Sequence, residues 1–495
     1  MFDKALLQRE WADFRRPGRI VALAAAAAVV ISFGLLFAFG SRSDCSGACP
    51  GIPHAADGSV VSDTFWFLHR DLGPEGSITV RLTSMNGTIT YPPPDHDEIV
   101  SGLVPWAKTG IIVKDGLDQG SSYAAVMTTG DHGVRMQYDY EHDIAGSAGE
   151  VSPESPRWLR LTRSGDTITG YESPDGEQWS TIGTATLTGL PDTVQVGLFA
   201  ASPGDLTLRE VGLGGAIEEV RFTQATGVFD NIDLEGAADG EWQSDPVGEM
   251  NHTDWEKHHN ASGAVERDGV ITVSGTGDIG PRNAEGVPAA KSLLSGLAIA
   301  LAVVLVVAAR FGARTAAPSS FPRLARRAAV VGAAGFVTGL VSIGIAMPAG
   351  IAVLQHNGIP VQPLSPLTGV RVVIGLATVL ALCAAFAYWL GTLLRRGWAA
   401  SAVALALIAV PYTVTAFPLL PDAVSQWLLR LTPAAGFAVQ QTATEYPQVV
   451  AHYAPSAGYF PLPAWAGIAV LCCHVAAAAW WASSRNRGGR RLNWR

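Results

Sequence analysis

The chain has 495 residues, enough for two or three domains, and its 43 acidic and 34 basic side chains give a formal net charge of −9. The charge is unevenly divided: residues 41–291 hold 38 of the acidic and 15 of the basic side chains, which leaves 5 acidic and 19 basic ones elsewhere. The acidic middle and the basic remainder are separate charge populations, so the net charge of the whole chain does not describe any single surface. We therefore expect no nucleic-acid partner.

Residues 20–40 form an apolar run without a charged side chain. A helix of about 20 such residues crosses the hydrocarbon core of a bilayer. A cleaved signal peptide is the alternative, but its apolar region would be shorter and followed by a small-residue cleavage site. We therefore predict a retained transmembrane helix 1. The basic residues that precede it place the N-terminus in the cytoplasm by the positive-inside rule; they are Lys4, Arg9, Arg15, Arg16 and Arg19.

Five more apolar runs follow the acidic middle of the chain. If they cross the bilayer alternately, the basic clusters beside them fall on the side of the N-terminus every time. The sequence therefore predicts a multi-pass plasma-membrane protein in the lipid bilayer, with six transmembrane helices and both termini in the cytoplasm. The predicted helices 2 to 6 are residues 292–311, 328–354, 370–394, 399–420 and 462–483.

Three segments outside these helices have distinct predicted roles. Residues 1–19 alternate apolar and basic side chains, which is typical of an amphipathic helix on the inner membrane face, with a frayed basic tail as the alternative. Residues 421–461 are predicted as an outer loop of re-entrant type. Residues 484–495 are predicted as a basic cytoplasmic tail.

The acidic middle of the chain, 41–291, has the pattern of a β domain. Short runs in which apolar and polar residues alternate are separated by turn residues, which is typical of antiparallel sheets with one buried face. We predict an all-β sandwich outside the cytoplasm, inserted between helices 1 and 2. A jelly roll would cover about 60–214, and a smaller second β lobe about 215–280.

Several segments of this region resemble a concanavalin-A-like jelly roll of the laminin-G type. The resemblance rests on 106–115 (WAKTGIIVKD), 122–126 (SYAAV), 133–138 (GVRMQY), 158–161 (WLRL) and 173–179 (SPDGEQW). It implies a fold and a tendency to bind carbohydrate or protein, because function belongs to sites more than to folds. Some laminin-G-like modules hold calcium. Four aspartates are the candidates for such a calcium or glycan site here: Asp115, Asp118, Asp139 and Asp143.

Motifs for familiar catalytic chemistry are absent from the sequence. Gly-Lys does not occur, so there is no Walker A loop to hold a nucleotide; H-E-x-x-H and G-x-S-x-G are missing too. We therefore predict that the chain is not an enzyme and binds no cofactor of its own, apart from the calcium alternative. Cys45 and Cys49 stand outside helix 1, where a disulfide is permitted, but a C-x-x-x-C spacing does not fix one.

Few polar residues lie within the apolar runs, and this limits the kinds of ions and molecules that the helices could transport. Ionisable groups inside a membrane are costly, so His474 is a candidate pathway residue, with Tyr412 and Thr415 as further candidates. A histidine bonded between helices is the structural alternative. Gly335 and Gly339 form a G-x-x-x-G motif, which predicts close helix packing.

The order of these elements resembles a type-two ABC export permease. The shared features are an amphipathic lead-in, six helices, a basic inner loop after helix 2 and a long outer segment before helix 6 containing LTPAAG at 431–436. The resemblance implies a separate ATPase subunit and a second permease copy, the same or related, as partners. It assigns ATPase docking to the basic inner loop, with Arg314, Arg323, Leu324, Arg326 and Arg327 as candidate residues.

The alternative function is a multi-span surface receptor or adhesion protein. In that case the β-sandwich binds glycans or a protein partner, and the helices serve as an anchor. Six helices are more than an anchor requires, so we expect the permease function.

Overall fold

A computed structural model describes residues 4–42, 51–90, 98–238, 240–251, 253–282, 290–315, 320–359 and 361–491. It has a β domain and a helical bundle. Short 3-10 segments cover Ala290–Leu294, Pro433–Gln440 and Pro455–Ala457, and a π-type turn covers Leu405–Ala409. The α-helices are α1 Lys4–Phe14, α2 Pro17–Gly40, α3 Asp254–His259, α4 Leu297–Ala313, α5 Phe321–His356, α6 Pro366–Leu394, α7 Gly397–Ala404, α8 Val410–Thr415, α9 Asp422–Leu431 and α10 Ala464–Arg491.

Six helical segments in the described part of the chain are long and apolar enough to cross a membrane, which confirms the predicted number. One precedes the strands and five follow them, so the helices lie mostly after the β domain in the chain. We number them span 1 Pro17–Gly40, span 2 Ser292–Ala313, span 3 Phe321–His356, span 4 Pro366–Leu394, span 5 Gly397–Thr415 and span 6 Ala464–Arg485.

Spans 3 and 5 differ from the predicted ranges by five residues or more at one end, for identifiable reasons. Span 3 begins at Phe321 instead of residue 328, because its three arginines lie within the first turns of the helix and do not end it. Span 5 ends at Thr415 instead of residue 420. Pro418 and Pro421 follow closely, and proline lacks the amide hydrogen that a continuing helix requires.

Glycines allow spans 3 and 4 to approach closely. A Cβ atom on Gly335 would lie 2.9 Å from the carbonyl oxygen of Leu380, and one on Gly339 would lie 2.8 Å from the Cα of Ala377. Contacts this short leave no room for a methyl group. The G-x-x-x-G pair therefore faces span 4.

The β domain is a sandwich, as predicted, built around one long strand. The first half of β2 pairs with β11 and β14, and its second half pairs with β8 and β13, so β2 joins both layers. The strands are β1 Val61–Asp63, β2 Phe65–Thr90, β3 Ile99–Ser101, β4 Lys108–Lys114, β5 Tyr123–Thr129, β6 Val134–Tyr138, β7 His142–Ala145, β8 Arg157–Ser164, β9 Thr167–Ser173, β10 Ser180–Thr186, β11 Val194–Ala201, β12 Asp205–Val211, β13 Gly215–Ala237, β14 Gln243–Val247, β15 Gly263–Arg267, β16 Val270–Gly275 and β17 Ile279–Pro281.

The strands β13 to β16 within 215–280 belong to the same sheet as β2, so the described residues of this range form no separate β lobe. Strand β13 pairs with β2 from Phe222 opposite Thr90 to Ala237 opposite Leu72, and β16 pairs with β13. Phe229 of β13 and Ile271 of β16 are buried in the same core as Val80 of β2. Alternation identified these strands in the sequence, but it contains no information on which strand each one pairs with.

The strand that enters the β domain and the strand that leaves it lie side by side. Strands β1 and β17 pair with each other, and both are held to β4 by buried lysines. The Lys114 ammonium lies 2.8 Å from the Asp63 carboxylate, and both side chains are fully buried. The Lys108 ammonium lies 2.7 Å from the Asp278 carboxylate. Burial lowers the pKa of Lys114, although Asp63 opposes that shift.

We expect Lys114→Met to destabilise the β domain strongly. It leaves the Asp63 carboxylate buried without its cation, and breaking a buried pair costs about 3–5 kcal/mol. Thermal unfolding of the full-length protein in detergent measures the effect. Arg81→Met is the matched control, because the Arg81–Asp230 pair is partly exposed and such pairs contribute about 0–1 kcal/mol. Equal losses in both variants would contradict the anchoring role.

We expect Gly339→Ala to lower the melting temperature of the full-length protein in detergent. The added methyl group overlaps Ala377, and overpacking costs about 1–3 kcal/mol. Gly344→Ala, one turn further along span 3, is the control. Its added Cβ would be 3.7 Å from Val373, an ordinary contact, so its melting temperature should be unchanged or higher. A Gly339→Ala protein as stable as Gly344→Ala would show that the spans are not in close contact.

Candidate functional site

The N-terminal helix α1 packs against the end of the bundle where spans 1, 3 and 5 begin and spans 2, 4 and 6 end. We call this end the arginine-rich end, after Arg314, Arg323, Arg326, Arg327, Arg395 and Arg396. Phe14 of α1 is buried, and its ring meets the edge of Phe311 at 5.3 Å between centroids. The guanidinium groups of Arg19 and Arg327 also lie against Phe311. The helix is thus fixed to the bundle by an aromatic contact flanked by two cations.

A buried ionic network connects α1 to span 3. The Glu10 carboxylate accepts hydrogen bonds from Nε of Arg323 at 3.2 Å and from Nε of Arg327 at 2.5 Å. Arg327 also donates to the Asp13 carboxylate and, at 3.1 Å, to the Thr315 hydroxyl. Glu10 and Arg327 are both buried. Helix α1 and span 3 are therefore joined by ionic contacts.

Some of the candidate docking residues are buried and others are exposed. Leu324 and Arg327 are buried and do not present their side chains at the surface of this chain. Their assignment to ATPase docking stays a prediction. Arg314 and Arg323 are exposed, and Arg326 is half-buried. The sequence did not show that the acidic residues of α1 would pair with these arginines.

At the opposite end of the bundle, the segment after span 5 turns back between the spans. Helix α9 is followed by the segment Pro433–Gln440, and all eight of its residues are buried. A Cβ atom on Gly467 of span 6 would lie 2.2 Å from the carbonyl oxygen of Ala435. Gly436 lies against Leu471 of span 6 and Val379 of span 4. This is the position predicted for a re-entrant loop within 421–461.

A cavity of about 360 Å3 lies between this segment and spans 1, 2 and 5. It brings together the predicted pathway residues Tyr412 and Thr415 and adds Gln440, which the sequence analysis did not select. The Tyr412 ring stacks on Phe437 at 4.2 Å, and its hydroxyl lies 3.5 Å from the Gln440 side-chain oxygen. Other lining residues include Phe37, Leu294, Ser295, Ala298, Phe417 and Phe460.

His474 lies away from this cavity. Its Nδ1 is 2.9 Å from the carbonyl oxygen of Val470 in the preceding helical turn, and its ring meets the edge of Phe386. The structural alternative was a histidine hydrogen-bonded between helices, but this hydrogen bond lies within its own helix, and the pathway role of His474 stays a prediction. The sequence signal for Gln440 was its polarity within the apolar run 433–440.

The segment 441–463 connects the cavity end of the bundle with the β domain. Gln448 donates to the carbonyl oxygen of Glu141 at 2.9 Å, and the Tyr446 hydroxyl donates to the Glu141 carboxylate at 2.9 Å. Burial, followed by Glu141, raises the pKa of Tyr446 to about 12, so the hydroxyl keeps its proton. The backbone N–H of Leu213 donates to the carbonyl oxygen of Leu419 at 2.9 Å. The β domain therefore rests on the end of span 5.

The structure does not gather the four candidate aspartates into one group of possible metal ligands. Asp143 is paired with Arg135 and also accepts from Gln137 at 3.0 Å. Burial raises the pKa of Asp139, which disfavours the charged form that calcium requires. Among the described residues, no group of three or more His, Cys, Asp or Glu side chains is placed to hold a metal ion. Cys45 and Cys49 lie outside the described residues.

Neither the family models nor the characterised proteins compared with this chain match it. Solved structures that match include a functionally unknown protein from Saccharomyces cerevisiae, at 15% identity over 40% of this chain and 93% of that one, with a TM-score of 0.23. Scytalido-glutamic peptidase matches at 10% identity over 44% and 99%, with a TM-score of 0.28. SCP-B of the eqolisin peptidases matches at 11% over 43% and 98%, with a TM-score of 0.26.

The prediction that the chain is not an enzyme does not stand. Two of the matched proteins are peptidases, and nearly their whole length is covered. The earlier prediction rested on missing motifs for nucleotide, zinc and serine chemistry, and the absence of those motifs does not exclude other catalytic groups. At these TM-scores the likeness assigns no activity and no site residue to this chain.

We expect Glu10→Gln to release α1 from the bundle. Loss of the buried negative charge weakens both arginine contacts, and amide hydrogen exchange in residues 5–14 should accelerate about tenfold or more, roughly 1.4 kcal/mol. Asp13→Asn is the matched control on the same helix, because Asp13 shares Arg327 but is 57% exposed. Equal acceleration in the two variants would show that burial of Glu10 is not the cause.

Proposed function

We propose that this chain is the membrane-spanning permease subunit of an ATP-driven ABC exporter and works with a separate ATPase subunit. The observation that carries the proposal is one bundle with a coupling element at each end. Helix α1 is tied to span 3 through Glu10 and Arg327 at the arginine-rich end, and the buried segment Pro433–Gln440 borders a cavity at the other. The resemblance in element order supports the same function.

The arginine-rich end is the proposed site of ATPase docking. Its exposed groups include Trp11 on α1 and Arg323 on span 3, and both belong to elements joined by the Glu10 network. A partner that moves α1 would pull on span 3 through buried ionic contacts, which resist separation. In this proposal the end lies in the cytoplasm of a plasma-membrane protein, with both termini there and the β domain on the outer face.

The cavity at the other end is the proposed cargo site. Its wall is mostly apolar, with Phe37, Phe417 and Phe460, while Tyr412, Thr415 and Gln440 supply a few hydrogen-bonding groups. Binding sites for amphipathic small molecules have this composition. A cavity on one side of six spans needs a second permease copy to enclose a path. The exposed apolar stripe of Val337, Val341 and Ile345 on span 3 is available for that copy or for lipid.

The second candidate function is a surface receptor or adhesion protein, and one observation favours it. A cleft of about 520 Å3 lies between the β domain and the segment 441–463, and Trp106, Asn260, Arg282 and Gln448 are among its lining residues. The side-chain oxygen of Asn260 is buried and has no hydrogen-bond partner among the described residues. An aromatic ring beside amide and guanidinium groups is suited to glycans.

We expect the full-length protein, purified in mild detergent from its native membrane, to retain a stoichiometric P-loop ATPase. Trp11→Ala combined with Arg323→Ala should remove most of that ATPase, because both side chains are exposed at the proposed docking end. Mass spectrometry of the purified complex measures the ratio.

The matched control is Trp427→Ala combined with Arg430→Ala, a tryptophan–arginine pair at the opposite end. It should keep the ATPase at the wild-type ratio. Recovery of the wild-type chain without an ATPase would contradict the permease proposal. Micromolar binding on a glycan array in that case would favour the receptor.

A further inference from the structure

A second cavity, of about 650 Å3, lies at the arginine-rich end between the first turns of span 1 and the last turns of span 2. Four arginines line it: Arg16 and Arg19 from the start of span 1, and Arg310 and Arg314 from the end of span 2. Its wall between the two helices is apolar and includes Val303, Val306 and Val307. Among the described residues, none that lines it is acidic.

Among the described residues, no carboxylate forms an ion pair with any of these four arginines. Arg16, Arg310 and Arg314 are exposed, and within the described part of the chain none of them forms an ion pair with an acidic side chain. Arg19 is fixed in place, because its Nη1 donates to the carbonyl oxygens of Asp13 at 3.0 Å and Phe14 at 3.1 Å. The nearby carboxylates of Glu10 and Asp13 are bonded to Arg327.

Four arginines line one cavity whose described lining residues include no acidic side chain, and like charges in one cavity repel one another unless an anion lies between them. The planar guanidinium fork matches phosphate oxygens in pairs. A phosphate bound there would face two membrane helices whose adjoining surface is made of valine and alanine side chains. Basic pockets between membrane helices have the charge and shape of sites for anionic lipid head groups.

We propose that this cavity binds one anionic phospholipid, with its phosphate among Arg16, Arg19, Arg310 and Arg314 and an acyl chain along Val303, Val306 and Val307. The site depends on insertion of spans 1 and 2 in a membrane and is independent of the ATPase and of any cargo. The lipid joins spans 1 and 2 at the end where α1 meets the bundle. A soluble phosphate compound shares the head-group chemistry but makes no use of the apolar wall.

Native mass spectrometry of the full-length protein tests the proposal, with phosphatidylglycerol and phosphatidylcholine of the same acyl chains added to delipidated protein. We expect one phosphatidylglycerol to bind far more tightly than phosphatidylcholine. Arg310→Gln with Arg314→Gln should weaken its binding about 25-fold, because each arginine near an anionic lipid contributes roughly fivefold.

Arg9→Gln with Arg15→Gln is the matched control, because it removes the same charge from the same end at residues that do not line the cavity. It should leave the affinity within about twofold. Equal losses in the two double variants would overturn the proposal in favour of diffuse surface attraction, and so would equal binding of the two lipids to the wild type.

Two further experiments distinguish the lipid from a soluble phosphate and control for misfolding of the glutamine variant. Val306→Trp fills the wall and leaves the arginines, so it should reduce phosphatidylglycerol binding at least fivefold. Glycerol phosphate at millimolar concentration should not displace the lipid; displacement would overturn the lipid as occupant. If the glutamine variant does not purify as a monodisperse species, Val306→Trp alone decides, and wild-type affinity in that variant refutes the site.

Discussion

The pairing of strands β1 and β17 is the constraint on which the arrangement of the two parts depends. It brings the chain into the β domain and out of it at one place, and two buried lysine–aspartate pairs fix both strands to the sheet. Gln362, in the segment between spans 3 and 4, hydrogen-bonds with the backbone N–H and carbonyl of Val60. The part of the β domain where β1 and β17 pair is thereby held to the bundle.

Because the chain enters and leaves the β domain at this one place, spans 1 and 2 still pack against each other. A Cβ atom on Gly296 of span 2 would lie 2.9 Å from the carbonyl oxygen of Val29, and one on Gly34 would lie 2.4 Å from that of Leu293. The two helices are therefore in backbone contact near the domain, although the whole sandwich separates them in sequence. At their other ends they diverge enough to form the arginine-lined cavity.

The sequence predicted the features that depend on local pattern. Six spans follow from apolar length, and the sandwich follows from alternation, because both signals are contained in single segments. The features it missed depend on partners distant in the chain. Burial of Arg327 requires Glu10, more than 300 positions away, and the placement of β13 requires β2. Gln440 borders the cavity only because Pro433–Gln440 turns back into the bundle.

The join between β1 and β17 also determines when the β domain completes its fold. Val61 pairs with Pro281, so nearly the whole domain must be synthesised before its first strand finds a partner. Contacts this distant in sequence form slowly, since loop closure precedes any gain from pairing. During that interval β1 is an open edge, and span 2, which begins at Ser292, emerges only a few residues after the closing strand. The closing strand and span 2 are therefore synthesised close together, and a delay in closing the sandwich prolongs exposure of the unpaired strand.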